Sequence, residues 1–244
     1  MDLKDKQIFK KNITSPLLKN IKSYFLSDKT EEEKFYRFEL EIDDTSGDLD
    51  PISWLLEQDE QVKTYWSSRN KNFCVAGIGY ADIITEKLRE YSADRYFIRD
   101  IFAVIKSRVS NSNIPVKYFG CLAFNENDRM DSSWESFGKA YFLVPKVEIF
   151  TLDRKKFIAC NIFYKPSENK SKKDIFEEIQ QFIENIEPLG DQTEVKKVRY
   201  ESRSDNPGKE KWLKNIVLAI ATFDFEQISK MFFQGKQYSN LEKR

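Results

Sequence analysis

Two strand-like runs stand only three residues apart: Thr64-Tyr65-Trp66-Ser67-Ser68-Arg69 and Phe73-Cys74-Val75-Ala76-Gly77-Ile78-Gly79-Tyr80, joined by Asn70-Lys71-Asn72. A connection that short reverses the chain, because a parallel pair needs a crossover of a dozen or more residues. The two runs therefore read as a hairpin. Upstream, Tyr36, Phe38, Leu40 and Ile42 alternate with Arg37, Glu39 and Glu41, the pattern of a half-buried strand. Three more strands are expected over Val116 to Phe124, Ala140 to Phe150 and Lys156 to Tyr164. With no regular βα alternation, this points to α+β with a largely antiparallel sheet.

Helices fill the gaps. Leu17, Leu18, Ile21, Tyr24 and Phe25 recur at helical spacing ahead of the acidic run Glu31-Glu32-Glu33. Asp50-Pro51 supplies a cap and a proline at the first helical position, with Ile52, Trp54, Leu55 and Leu56 behind it. A stripe of Phe97, Ile98, Ile101, Phe102 and Ile105 marks a helix from about Ala93 to Val109. The clearest helix places Ile175, Phe176, Ile179, Phe182, Ile183 and Ile186 on one face; Asp174 and Glu177 give a capping-box pattern at its start, and Pro188 ends it. Asp191 to Lys211 is the most polar stretch and reads as a solvated loop. Trp212, Leu213, Ile216, Val217 and Ile220 then form a last helix.

The chain contains no histidine, which removes Ser-His-Asp and Cys-His relays, His-ligated zinc and imidazole proton shuttles. Acid–base work falls to Lys, Glu, Asp, Tyr or Cys. Lys plus Arg number 40 against 40 Asp plus Glu, so no net positive field points to nucleic acid. Neither a secretory signal nor a membrane span follows the charged N-terminus. Cys74, Cys121 and Cys160 are odd in number and set among apolar residues, which suits buried, reduced thiols and a cytoplasmic location. Gly77-Ile78-Gly79 lacks a third glycine and reads as a close-packing pair rather than a nucleotide loop. Trp54, Trp66, Trp134 and Trp212 read as core anchors.

The order of these pieces says more than any one of them. Asp50-Pro51-Ile52-Ser53-Trp54-Leu55-Leu56-Glu57-Gln58, then Tyr65-Trp66-Ser67-Ser68-Arg69, then Val75-Ala76-Gly77-Ile78-Gly79 resembles the N-terminal region of isochorismate synthases, which belong to the chorismate-utilising enzymes. The likeness continues through Tyr118-Phe119-Gly120-Cys121-Leu122-Ala123-Phe124, Trp134-Glu135-Ser136-Phe137 and Ala140-Tyr141-Phe142-Leu143-Val144-Pro145-Lys146-Val147-Glu148. It ends with Trp212, Ile216, Val217, Ala219 and Ile220 and the segment Phe225 to Lys230, similar to the helix and turn that lead into the family's catalytic strand.

The resemblance implies the N-terminal half of an anthranilate synthase component I-like fold and the isomerisation of chorismate to isochorismate, feeding menaquinone, siderophore or salicylate synthesis. In the family a lysine at this position activates a water that attacks C2 of chorismate, while a glutamate farther along protonates the departing C4 hydroxyl. Lys230 falls at the lysine position in the favoured register, and Gln227 in the alternative one. A lysine with an ordinary pKa of about 10.4 must be lowered by burial or neighbouring positive charge to do this near neutrality. Mg²⁺ is implied as the cofactor, with its carboxylate ligands expected in a C-terminal half.

Three regions are expected: a helical lead-in over 1–34, the N-terminal part of the isochorismate-synthase-like domain over 35–230, and an aberrant tail over 231–244. From Met231 the sequence leaves the family pattern and the expected arginine is absent, so a frame shift just after Lys230 is the expectation, with a separately encoded C-terminal half as a partner. Alone, the chain is then expected to be inactive and to expose unpaired sheet edges. The competing reading is a non-catalytic α+β binding module derived from the same fold.

Overall fold

The computed structural model describes residues 7–42, 50–70, 72–85, 97–112, 114–123, 132–188, 200–224 and 236–241. The chain divides into two compact units, Met1–Thr193 and Glu194–Arg244.

In the first unit a π-helical turn, Lys10–Thr14, leads into α1 (Ser15–Phe25), followed by β1 (Lys34–Ile42), α2 (Pro51–Glu57), β2 (Lys63–Ser67), β3 (Phe73–Ile78), β4 (Asp82–Thr85) and α3 (Phe97–Ser110). Then come β5 (Phe119–Leu122), β6 (Ala140–Val144), β7 (Val147–Leu152), β8 (Lys155–Tyr164) and α4 (Lys172–Glu184). One sheet has five strands in the order β1-β8-β7-β3-β2, and another has three in the order β4-β6-β5. Every pairing among them is antiparallel. The expected α+β class and hairpin are both observed, the hairpin with Tyr65 opposite Ala76.

Local chemistry sets the helix ends. The Asp50 side chain accepts from Ser53 N at 2.9 Å, with Pro51 in the first turn of α2. At α4 the cap is Ser171, which accepts from Asp174 N at 3.1 Å while the Asp174 carboxylate accepts from Ser171 N at 3.3 Å. The capping box thus starts three residues before the Asp174–Glu177 pair expected to form it, because the serine hydroxyl reaches the free N–H groups of the first turn. α4 ends at Glu184 with Asn185 as its cap, short of Pro188.

The main core lies on one face of the five-stranded sheet. Leu17, Ile21 and Phe25 of α1, Trp54 of α2 and Phe176, Ile179 and Ile183 of α4 pack on Tyr36, Phe38, Val147, Ile149, Cys160 and Ile162. The opposite face is covered as well: Phe35 packs with Val116 and Val144, and α3 packs through Ile101 against Ile84 and Ala140 of the smaller sheet. β1 is accordingly not half-buried along its length. Phe35, Tyr36, Arg37 and Phe38 are all buried, because the first half of the strand is sandwiched between two layers. The run expected to be one strand from Ala140 to Phe150 is two, β6 and β7, which belong to different sheets. Trp54 is fully buried, whereas Trp66 and Trp134 are exposed and anchor no core.

The loop after α1 is tied to α4 by a polar clasp. The Asp28 carboxylate accepts from Thr30 N at 2.8 Å and from the Tyr36 hydroxyl at 2.8 Å. Lys172 Nζ donates to the Asp28 carbonyl and sits 4.9 Å from the Tyr164 ring centre. Hydrogen bonds from Thr30 hold the Asp28 carboxyl well below its ordinary value of 3.8, and Tyr36 and Lys172 add to the effect. A depressed carboxyl stabilises the fold above its unfolded value and loses that contribution as pH falls through its folded value. Urea midpoints at pH 6 and pH 3 are therefore expected to differ more for the wild-type chain than for Asp28→Asn; equal differences would remove Asp28 from the acid limb.

The second unit holds β9 (Tyr200–Asn206), α5 (Lys209–Asp224) and β10 (Lys236–Leu241), with β9 and β10 antiparallel. The expected last helix is present. The polar stretch read as a loop over 191–211 includes β9 and the start of α5: a two-stranded pairing needs no apolar alternation, so its residues carry no strand signal.

Candidate functional site

Lys230 and Gln227 lie outside the described residues, as do Phe225 and Met231. Phe124, Glu226, Ile228 and Ser229 of the sequence pattern also lie outside them; the rest are described, and several converge where the chain passes from the smaller sheet to the larger one.

Pro145 makes that passage. Lacking an N–H, it cannot continue a ladder, and β6 ends at Val144 while β7 begins at Val147 in the other sheet. A Cβ on Gly77 would stand 2.5 Å from Pro145 Cβ. Gly79, at φ +58°, would set one 2.9 Å from Phe182 Cζ, and Gly120 would drive one into the Tyr141 carbonyl oxygen. All three glycines allow close approach, as expected for Gly77 and Gly79. Gly77→Ala is expected to lower stability by about 1–3 kcal/mol through overpacking against a rigid ring. Gly208→Ala, with open space around its Cβ, gives the baseline in the same urea titration. An unchanged midpoint for Gly77→Ala would contradict the close packing.

Beside Pro145 lies a buried ionic centre. Arg37 of β1 meets Glu148 of β7 at 2.5 Å and donates to Asn161 Oδ1 of β8 at 2.8 Å. Asn161 Nδ2 in turn donates to the Pro145 carbonyl at 2.8 Å. Glu39 receives Arg37 Nε at 2.5 Å, and the guanidinium lies 5.3 Å from the Phe150 ring centre. Arg37 and Glu148 side chains are only 4% and 6% exposed, so neither charge has bulk water as an alternative partner. Burial pushes the Glu148 carboxyl up, against the pull of Arg37.

A second centre adjoins it on the same sheet face. Arg108 of α3 donates to the buried Asp82 of β4 at 2.7 Å, and the Tyr118 hydroxyl donates to the same carboxylate. Lys165 stands 3.5 Å from Asp82, and Lys165 and Arg108 lie 4.8 and 5.2 Å from the Phe163 ring centre. Burial and the Asp82 charge push the Tyr118 phenol up, so it stays a hydrogen-bond donor. The first centre ties β1, β7 and β8 of one sheet, and the second joins α3 and the smaller sheet to Lys165 beyond β8; each charge faces an opposite one, which suits structural clamping rather than proton transfer.

All three cysteines are free thiols. Cys160 is buried and its thiol is pushed up to about 12 by burial, which leaves it inert as a nucleophile. Cys121 is exposed, contrary to the buried thiol expected, because β5 is an edge strand of the small sheet. Among the described residues no group of three or more acidic or cysteine side chains converges as a metal site. The most buried carboxylates, Asp82 and Glu148, already face arginines. No helix among the described residues is long and apolar enough to cross a membrane.

Sequence reasoning missed Arg37, Asn161, Asp82, Arg108 and Tyr118. One signal was present: Glu148 stands within an apolar run, and a buried carboxylate requires an opposite charge. Nothing in the sequence points to Arg37 as that partner, since an arginine between two aromatics also fits a solvated face.

Comparison with known proteins bears on these residues. The sequence model of a family described as chorismate binding enzyme matches residues 19–238. A solved structure, that of MenF, the menaquinone-specific isochorismate synthase from Escherichia coli, superposes with a TM-score of 0.55 at 15% sequence identity, over 85% of this chain and 42% of that one. The chain thus spans less than half the length of that protein. No curated protein sequence matches.

Proposed function

This chain belongs to the chorismate binding enzyme family, and we propose that it supplies the N-terminal part of an isochorismate synthase that converts chorismate to isochorismate. The observation that carries the reading is the reach of the family match, residues 19–238, which takes in the whole succession from Asp50 to Lys230. The likeness in fold to a menaquinone-specific isochorismate synthase supports the branch.

In this reading Lys230 is the general base. Its neutral amine takes a proton from the water that adds at C2, both ring double bonds shift round the side away from C3, and the C4 oxygen leaves as water after protonation by a glutamate in further chain. One hydroxyl is gained and one lost, so no oxidant is needed. The described residues do not form a magnesium site; Mg²⁺ is proposed from the resemblance, with its ligands in the complementing half. Isochorismate would serve menaquinone, siderophore or salicylate formation.

The test is a chorismate turnover assay with Mg²⁺ on the chain joined or mixed with the polypeptide encoded downstream of Arg244. Isochorismate formation is the expected result. Its absence, or a downstream sequence with no chorismate-binding half in any frame, would overturn the proposal and favour a non-catalytic module.

A further inference from the structure

We infer that the cavity between the π-helical turn Lys10–Thr14 and the C-terminal end of α4 is a binding site for a small organic cation, an ammonium group carried on an apolar body the size of one aromatic ring. The inference does not rest on the function proposed above. The cavity has a volume of about 220 Å³, which is room for about seven waters or one small ring compound.

The open turn on one side has a local cause. Pro16 has no N–H to give the Asn12 carbonyl, and its ring crowds that carbonyl, so the turn ahead of it widens: Ser15 N donates to Lys10 O, five residues back. Phe9, Lys10 and Thr14 of this turn line one side of the cavity, and residues 184–188 line the other. The second side is held in place by Gln58, itself 4% exposed, which donates through Nε2 to Glu187 O at 2.8 Å and accepts from Glu187 N at 3.0 Å. A cavity with a fastened wall is pre-formed, so a ligand loses little affinity to ordering the protein.

The lining selects the ligand. Phe9 and Ile186 are 7% and 8% exposed and Pro188 is buried, so the inner lining is apolar. The ionisable groups are Glu184, Glu187 and Lys10, two carboxylates against one ammonium. α4 adds the negative end of its dipole, because its last turn carries no basic residue to offset it. That balance favours a cation over an anion. The apolar lining favours a cation with a hydrocarbon body over a bare metal ion, whose hydration shell it could not replace. Among the described residues no three acidic or cysteine side chains gather as a metal site.

The experiment titrates the 1–244 chain at low ionic strength with three probes of one shape, benzylamine, benzyl alcohol and benzoate, and follows backbone amide NMR shifts. Benzylamine is expected to shift the amides of residues 9–14 and 184–187 and to bind about tenfold more tightly than benzyl alcohol, the margin of a charge-assisted hydrogen bond over a neutral one. The double variant Glu184→Gln with Glu187→Gln keeps the shape of both side chains. It should bring benzylamine to the affinity of benzyl alcohol and leave the alcohol unchanged. If the double variant does not fold, the ranking of the three probes on the unmodified chain decides. Benzoate binding more tightly than benzylamine would overturn the ligand class in favour of an anion held by Lys10. Equal affinity for amine and alcohol would overturn the charge selection, and shifts confined to other residues, or none that saturate, would overturn the site.

Discussion

Replacing Arg37 by leucine is expected to lower folding stability by about 3–5 kcal/mol, the cost of stranding a buried charge. Glu148 is 6% exposed and, among the described residues, forms its ion pair with Arg37 at 2.5 Å. Without the guanidinium, burial drives the Glu148 carboxyl higher still. A carboxyl raised in the folded state leaves stability intact below its unfolded value and removes it as pH rises through the folded one. The deficit of Arg37→Leu should therefore be largest near pH 8 and shrink towards pH 5, read from urea midpoints. Arg37→Leu with Glu148→Leu should recover much of the loss, since an apolar pair of similar volume needs no counter-charge. A single variant as stable as the wild type at pH 8 would show that the pair does not hold the five-stranded sheet together. Asn161 adds a structural reason for a large effect, because it couples Arg37 to the Pro145 carbonyl where the chain changes sheets.

Replacing Lys230 by alanine in the joined or complemented enzyme is expected to reduce isochorismate formation by about 10²–10⁴-fold, the usual weight of a general base. The loss should fall on kcat, because the amine acts on water in the transition state. A base must be unprotonated to work, so turnover of the wild-type enzyme should rise with pH along a limb that the variant lacks. Gln227→Ala is the register control. Unchanged turnover for Lys230→Ala with loss for Gln227→Ala would reverse the assignment, and no loss in either would remove the base from this segment.

Much of the fold was legible because periodicity and capping are local. The hairpin followed from a three-residue connection, α2 from Asp50-Pro51, and the α4 stripe from residues three and four apart on one face. The break at Pro145 was not read, since the apolar runs on its two sides join without a gap in pattern. Nor was the burial of Arg37: alternation reports which residues share a face, not what covers that face.

The sequence by itself determined the family, because the order of short motifs from Asp50 to Lys230 survives without any knowledge of contacts, and it determined the class of fold, because strand and helix periods are written along the chain. Only the tertiary structure decided what the motif residues do. Gly77 makes room for Pro145, Glu148 answers Arg37, and Asp82 answers Arg108, across 68, 111 and 26 positions of sequence. A buried charge is tolerated only beside its opposite, and which opposite lies beside it is settled by strand order, not by neighbours along the chain.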